Sequence, residues 1–487
     1  MFASLKEPSR RAVFISPAFL LIRMQTFRLW HARECIAMTR PNIVFILADQ
    51  QLWDTVSCYG QPLGNDVCPD TGLTPHLDAM AAQGVRFEHT FTMQPVCGPA
   101  RSCLQTGMYA TETGCHTNAR MLPTDVPTIA KAFNDGGYET AYVGKWHLAS
   151  DGWDQRIINK PIPVDRRGGY RDYWIASDVL EFTSHGYEGY LFDTQGNRVD
   201  FEGYRVDCTA NFAIDYFRDF ATRRSDKPFF LFLSFIEPHH QNDLNRYIGP
   251  IGSKQRFADY TVPGDLVGTE GDWRKHMPDY LGCCWSLDQN VGRMREELKT
   301  LGLLDDTLML YTADHGSHFC TRNSEYKRSC HENSIRVPLI AQGPGFEGGR
   351  VVDDIVSLID LPPTVLKAGG IDPPPPMRRR PNQQLADGSA TDWPQEAFVQ
   401  ISESQCGRAI RTRRWKYGVD APDVTRHDPG SDRYVEQYLY DLDADPHERT
   451  NLVADPTLAD TRAELAATLK RRMVDAGETE PVIDPAP

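Results

Sequence analysis

Asn42-Ile43-Val44-Phe45-Ile46-Leu47-Ala48 runs directly into Asp49-Gln50. Seven residues with almost no polar interruption, rich in β-branched side chains, suit a strand covered on both faces, as in a parallel sheet. The polar pair falls at the strand's C-terminal end, where open α/β sheets carry their sites. On its own, Asp49 reads better as a helix cap.

Three more apolar runs end in polar residues. Thr140 to Val143 leads into Gly144-Lys145-Trp146-His147, Phe229 to Phe235 into Glu237-Pro238-His239-His240, and Thr307 to Ala313 into Asp314-His315-Gly316. Val85 to Phe87 and Val337 to Ala341 are further predicted strands. Helices are predicted between them: one starting at Thr74, one from Cys97 to near Gly107, one over Val126 to Gly136, and a long one. In the long one Cys284, Leu287, Val291, Met294, Leu298 and Leu301 fall three and four apart, a stripe that packs on the sheet. Strands alternating with helices give an α/β fold, a mostly parallel central sheet flanked by helices.

Residues 150–227 and about 240–278 read as polar excursions over one end of the sheet, where specificity usually sits. Trp153, Tyr170, Trp174, Tyr187 and Trp273 lie in them, as loop core or as surfaces for a sugar, an aryl ring or a quaternary ammonium. Pro373 to Pro376, Arg378 to Arg380 and Pro381 read as a solvated linker or loop. Beyond it come short strands near 397–401, 408–417 and 436–442, and a helix marked by Leu465, Leu469 and Met473. The expected division is an N-terminal extension or weak targeting segment over 1–39, a catalytic domain over 40–385, and a smaller C-terminal domain over 386–487, an antiparallel sheet with one helix.

A chain of 487 residues exceeds one ordinary core, in keeping with two domains. The net charge of −14 argues against nucleic acid or an anionic membrane as a broad-surface partner, while leaving room for a local anion pocket. Twelve scattered cysteines with no C-x-x-C spacing argue against a zinc ribbon or a thioredoxin-like motif, and favour reduced thiols in a cytosolic protein. The apolar run from Ala12 to Ile22 is too short to span a bilayer and reads as part of an extension upstream of Met38, or as a weak targeting signal.

Cys97-Gly98-Pro99-Ala100-Arg101-Ser102 joins a cysteine to a helix start. Pro99 suits a first helical turn, the helix N-terminus favours an anion at Cys97, and Arg101 is one turn on. The hexapeptide alone reads equally as a buried structural cysteine or an activated one. In a parallel sheet the four strand ends share one edge. Asp49 and Asp314 would repel there without a cation, and with Gln50 and His315 they make a mainly oxygen-donor set suited to Ca²⁺, Mg²⁺ or Mn²⁺ rather than zinc.

At this point the chain resembles the sulfatases of the alkaline phosphatase superfamily. Cys97 to Arg101 matches the signature C-x-P-x-R, continued by Leu104-Gln105-Thr106-Gly107, and Gly137 to His147 matches G-Y-x-T-x-x-x-G-K-x-H. Pro41 to Asp49, Thr74 to Asp78, Asp314-His315-Gly316, Lys327 with Glu332 to Pro338, and Leu439 to Leu442 with Asp445-Pro446 are similar to further family blocks, in family order over roughly 41–475. The resemblance implies an alkaline phosphatase-like fold and hydrolysis of a sulfate ester. It implies that a transient maturation enzyme oxidises Cys97 to formylglycine (3-oxoalanine), whose hydrated aldehyde attacks sulfur beside one divalent cation, with Ca²⁺ the first expectation and Mn²⁺ or Mg²⁺ the others.

The roles it implies are Cys97 as nucleophile and metal ligand, with Asp49, Gln50, Asp314 and His315 completing the metal shell. Arg101 holds the hydrated aldehyde, Lys145 and Lys327 bind sulfate oxygens, His147 deprotonates the aldehyde hydrate to release sulfate, and His239 protonates the leaving group, with adjacent His240 as its alternative. His318 and His331 read as ordinary polar residues, His331 being a candidate to line the pocket. Two positions depart from the common pattern: Gln50 stands where many members have a second aspartate, and His315 where many have asparagine. The aspartate-histidine pair is similar to the branch with choline sulfatases and phosphonate monoester hydrolases, so a phosphonate monoester or phosphodiester hydrolase is the second expectation. The expected substrate is a sulfated small molecule or sulfated carbohydrate; the cytosol is the expected compartment, though the family includes exported members.

Overall fold

The computed structural model describes residues 40–68, 70–378 and 380–487, so expectations about 1–39, Cys35 and Arg379 lie outside the described residues. The strands are β1 (Asn42–Asp49), β2 (Val85–Phe91), β3 (Glu139–Lys145), β4 (Tyr173–Ser177), β5 (Glu188–Phe192), β6 (Arg198–Glu202), β7 (Phe229–Pro238), β8 (Thr307–Ala313), β9 (Leu339–Gln342) and β10 (Arg350–Ser357). They form one sheet in the order β10-β2-β9-β8-β1-β7-β3-β4-β5-β6. The longer helices of this part are α1 (Pro75–Gln83), α2 (Cys97–Thr106), α3 (Ile129–Asp135), α4 (Arg205–Arg223), α5 (Trp273–Thr300) and α6 (Leu361–Ala368).

The middle four strands, β8-β1-β7-β3, are contiguous and mutually parallel. The residues of β1, β7 and β8 are all buried, as the continuous apolar runs require, and so are those of β3 after the half-buried Glu139. Phe45 stacks on Phe232 at 4.6 Å, and Phe232 on Tyr142 at 5.4 Å, tying β1, β7 and β3 together on one face. Each such buried ring contributes on the order of 1.5–3 kcal/mol of transfer free energy. Ala48 pairs with Ala313, which sets Asp49 and Asp314 side by side. Gly144 has φ 105°, and a Cβ there would lie 1.9 Å from the Ser234 carbonyl oxygen; only glycine allows β3 to approach β7 just before Lys145.

The sheet is mixed away from this centre. Val337 to Ala341 was expected among parallel strands, but β9 runs antiparallel to both β8 and β2. A parallel return needs a crossover, usually a helix, and the connection from Asp314 to Pro338 has only one helical turn, Glu332–Ile335. Residues 150–227 are not merely an irregular excursion: β4 to β6 extend the sheet there and α4 covers it. Val206, Ala210, Ala213, Phe217 and Phe220 of α4 are buried and carry the helical spacing. The excursion after β7 ends at Trp273, where α5 begins, five residues before the expected 278.

Beyond residue 380, β11 (Glu396–Ile401), β12 (Gly407–Thr412), β13 (Trp415–Asp420), β14 (Arg433–Asp441) and β15 (Val482–Asp484) make a second sheet in that order, with α7 (Ala459–Asp475). The stretch 408–417, expected as one strand, is a hairpin that turns at Arg413-Arg414. β11 to β14 are antiparallel as expected, but β15 joins β14 in parallel. Pro41–Pro487 forms one compact unit, and Phe398, Ile410, Tyr417, Leu439 and Leu469 belong to the same apolar core as the central strands. No described helix is long and apolar enough to cross a membrane.

Candidate active site

Asp49 ends β1, Lys145 ends β3, Asp314-His315 follow β8, and His239 follows β7, so four adjacent strand ends deliver the site. Gln50 and His147, immediately beyond β1 and β3, have φ of 72° and 62°. Non-glycine residues held there mark a backbone constrained by its surroundings, commonly at functional sites. Cys97 opens α2, with every residue of that helix buried. The Gly98 amide donates to Asn118 Oδ1 at 3.0 Å, which fixes the turn carrying Cys97.

Cys97 Sγ stands where the oxygens of the matured residue would stand. It lies 3.4 Å from Asp49 Oδ1, 3.2 Å from His315 Nε2 and 2.8 Å from Lys327 Nζ. His315 Nε2 is 3.6 Å from Asp49 Oδ1 and 3.5 Å from Asp314 Oδ1. His315 Nδ1 is 3.0 Å from the Gly316 carbonyl, which can only accept, so Nδ1 carries the proton. In the neutral ring Nε2 then offers a lone pair toward the carboxylates, the arrangement of a ligating histidine.

These residues fit a divalent cation. Asp49, Cys97, Asp314 and His315 each present a ligand atom, all within 4.8 Å of one another and buried. Gln50 Nε2 donates to Tyr247 and Ser317, leaving Gln50 Oε1 buried without a hydrogen-bond partner, and Asp314 Oδ2 accepts no hydrogen bond, its nearest cation being Arg101 Nη2 at 3.4 Å. Buried oxygens are normally satisfied, so two such atoms beside paired carboxylates suit ligands. The set is mainly oxygen with one imidazole, as hard cations prefer.

Positive charge surrounds the cluster. Arg101 Nη2 lies 3.0 Å from Asp49 Oδ2 and 3.4 Å from Asp314 Oδ2, while Nη1 donates to the Lys145 carbonyl and to Ser234. Lys145 Nζ is 2.8 Å from Asp49 Oδ2 and 3.4 Å from Glu181 Oε2, and is fully buried. Arg101 and Lys145 therefore engage carboxylates; among the described residues, Lys327 is the cation bonded to Cys97 Sγ. Burial alone would raise the Cys97 thiol, but Lys145, Lys327 and His315 outweigh it and hold the thiol well below its ordinary range. Burial would also raise Glu181; Lys145 and His239 instead bring it to about 2.

A pocket of about 210 Å³ opens onto Cys97, lined also by Gln50, His147, Glu181, His239 and Lys327. His239 Nδ1 lies 2.6 Å from the His240 carbonyl, so Nε2 faces the pocket, 3.1 Å from Lys327 Nζ. His240 instead stacks on Tyr326 at 4.4 Å, away from the pocket, and burial lowers it to about 4. His331 does not line this pocket; it hydrogen-bonds Tyr440 and Ser329 beside a separate cavity. Trp153, one of the aromatics that the sequence offers as loop core or as a stacking surface, also lines the pocket, as do Asn118, Ser150, Arg156, Glu181, Phe182 and Arg328, which carry no such signal. Those residues depend on loops that only the fold brings to Cys97.

A cysteine on a helix start, facing paired carboxylates at the C-terminal ends of parallel strands, makes a site suited to metal-assisted hydrolysis. The chain belongs to the sulfatase family: the family profile described as Sulfatase matches residues 41–371, and that described as N-sulphoglucosamine sulphohydrolase, C-terminal, matches 324–475. It is 30% identical over 467 residues to the uncharacterized sulfatase YidJ of Escherichia coli, covering 88% of this chain and 86% of that one. It is 29% identical to an ulvan-active sulfatase of Formosa agariphila, covering 90% and 82%. Its fold is similar to the crystal structure of the putative sulfatase yidJ from Bacteroides fragilis, with TM-score 0.77, 25% identity, and 90% and 97% of the chains covered. The protein is a sulfatase, with a catalytic site suited to formylglycine-dependent sulfate-ester hydrolysis.

Proposed function

We propose that this sulfatase hydrolyses a sulfate monoester of a carbohydrate to the alcohol and inorganic sulfate, using formylglycine made from Cys97 by a separate maturation enzyme. The observation that carries the reading is the placement of Cys97 Sγ between the Asp49–His315 ligand atoms and Lys327 Nζ. A nucleophile there meets sulfur with a fixed positive charge on the side where the sulfate oxygens gain charge. Ca²⁺ is the proposed ion, on the oxygen-rich donor set, and it supplies Lewis-acid stabilisation of the attacking and sulfate oxygens.

The chain's own residues then divide the work. Lys327 neutralises sulfate oxygens at the pocket floor. Lys145 and Arg101, bonded to Asp49, keep that carboxylate ionised and oriented and carry positive charge behind the reacting group. His239 acts as an imidazolium, keeping Nδ1–H on the His240 carbonyl and giving its Nε2 proton to the leaving oxygen, and His147, which lines the pocket, accepts the proton whose loss frees sulfate. An ulvan-active relative, and a solved structure with D-glucosamine-2-N,6-O-disulfate as its substrate, support the carbohydrate class. The cytosol is the proposed compartment, supported by eleven free cysteines among the described residues.

The test is a panel of sulfate, phosphate and phosphonate monoesters with the matured protein. The highest kcat/KM is expected on sulfate esters, with sulfated sugars above simple aryl sulfates. A higher kcat/KM on phosphonate monoesters overturns the sulfate assignment in favour of the second expectation.

A further inference from the structure

Three cations line the catalytic pocket, Lys327, Arg328 and Arg156, and two of them are engaged. Lys327 bonds Cys97 Sγ and His239. Arg328 is paired with Glu325 at 2.8 Å and with Glu403 at 2.7 Å. Arg156 has no ion pair and no hydrogen bond to any described residue. Glu181, which also lines the pocket, is bonded to Lys145.

Arg156 is nonetheless held in place. Its guanidinium carbon lies 4.0 Å from the centroid of the Trp153 ring and 5.4 Å from that of Phe182. Both rings line the pocket and stay open to solvent, Trp153 at 57% and Phe182 at 39% exposure. The loop beneath is tied down: the Gly152 amide donates to the Ala119 carbonyl at 2.6 Å, the Ile157 amide donates to Ser150 Oγ at 2.9 Å, and Ser150 Oγ donates to Asp178. Partial burial pulls the guanidinium below its ordinary value without discharging it. A fixed, partly dehydrated guanidinium with its donors unused is prepared for a planar or tetrahedral oxyanion, because its ordering cost is already met.

We propose that Arg156, held by Trp153 and Phe182, is a second anion subsite that selects sulfate esters carrying another anionic group, a carboxylate or a second sulfate, near the scissile one. This rests on the sulfatase reading, since the first anion is the sulfate placed at Cys97 and Lys327. Cys97, Lys327 and Arg156 line one pocket of about 210 Å³, so the second anionic group is expected close to the scissile one. The scissile sulfate does not itself need Arg156, because Lys327, Lys145 and Arg101 already cluster around Cys97. Arg156 thus acts on which substrate is chosen rather than on the bond broken.

The test has a binding arm and a turnover arm. In the Cys97→Ala protein, calorimetry compares N-acetylglucosamine 6-sulfate with glucosamine 2-N,6-O-disulfate. The disulfate is expected to bind on the order of 10–100-fold more tightly, the range of a charge-assisted guanidinium contact. Arg156→Gln removes that preference and Arg156→Lys keeps part of it. In the matured enzyme, kcat/KM is compared for phenyl sulfate and for the sulfate ester of 3-hydroxybenzoate. Arg156→Gln is expected to lower the second far more than the first, chiefly through KM. Equal losses on both esters, or a disulfate preference that is absent or survives Arg156→Gln, overturn the proposal while sulfate-ester turnover stands. Failure of the matured enzyme to hydrolyse both these esters and the two sulfated sugars overturns the sulfate-ester reading instead, and the binding arm still decides the subsite.

Discussion

Lys327 Nζ lies 2.8 Å from Cys97 Sγ and 3.1 Å from His239 Nε2, so one side chain from the connection after β8 joins the nucleophile position to the proposed proton donor. The loop does not depend on that ammonium for its shape, because its backbone is bonded through the Lys327 carbonyl to His318 Nε2 and Asn323 Nδ2. Lys327→Ala is therefore expected to lower kcat on an aryl sulfate by about 10²–10³-fold with the melting temperature nearly unchanged. Steady-state kinetics and circular dichroism on the same preparation check this. A large loss of fold with proportionate loss of rate contradicts the assigned role.

Asp49 differs, because it is structural and chemical at once. Its Oδ2 faces Arg101 and Lys145, all three fully or nearly fully buried. Asp49→Asn leaves two buried cations without their shared counterion, a change that costs about 3–5 kcal/mol. The expected outcome is loss of turnover together with a lowered melting temperature, measured by calorimetry.

Gly144 tests the fold alone. Its φ of 105° and the Ser234 carbonyl oxygen 1.9 Å from where a Cβ would stand leave no room for a side chain. Gly144→Ala is expected to push β3 from β7 and cost more than the ~1–3 kcal/mol of backbone strain alone. Soluble yield and denaturant midpoint report it, and a midpoint equal to that of the unaltered protein contradicts this account of the β3–β7 contact.

Asp54 gives the stability a pH dependence. Burial, with Asp265 nearby, raises its carboxyl from 3.8 to about 7. Between those values the folded chain keeps a proton that the unfolded chain has released, so stability falls as pH rises toward 7. Melting temperatures recorded from pH 5 to 8 are expected to fall with pH, and Asp54→Asn to flatten that decline. A steeper decline in the variant contradicts the assignment.

Chelation tests the metal centre without mutation. Prolonged EDTA treatment is expected to abolish turnover and lower the melting temperature, and readdition of Ca²⁺ at 100 times its dissociation constant to restore about 2.7 kcal/mol. Restoration by Mn²⁺ or Mg²⁺ but not Ca²⁺ assigns a different ion to the same ligands.

The central strands and their polar ends were legible because burial on both faces forces an uninterrupted apolar run, and such runs are rare enough to locate. The direction of β9 was not, since a strand's direction depends on the connection before it rather than on its own residues. α4 carries a readable stripe, but aromatic and charged neighbours masked it within a segment whose β5 and β6 are half-exposed. At the site, the candidate ligand and signature residues sit in local motifs, which is why the sequence could propose them. Asn118, Arg156 and Glu181 were not legible, because they lie 21, 59 and 84 residues beyond Cys97 in loops that only the fold brings back to it. The choice between His239 and His240 also needed coordinates, since the strand end turns one ring inward and the other onto Tyr326.

The central claim is that Cys97 is a precursor rather than a working thiol. Mass spectrometry of the peptide spanning residue 97, taken from protein co-expressed with a maturation enzyme, tests it most directly when turnover is measured on the same sample. The aldehyde in place of the thiol, with turnover on sulfate esters rising in proportion to the converted fraction, is the predicted result. Full turnover from protein whose Cys97 thiol is intact would contradict it.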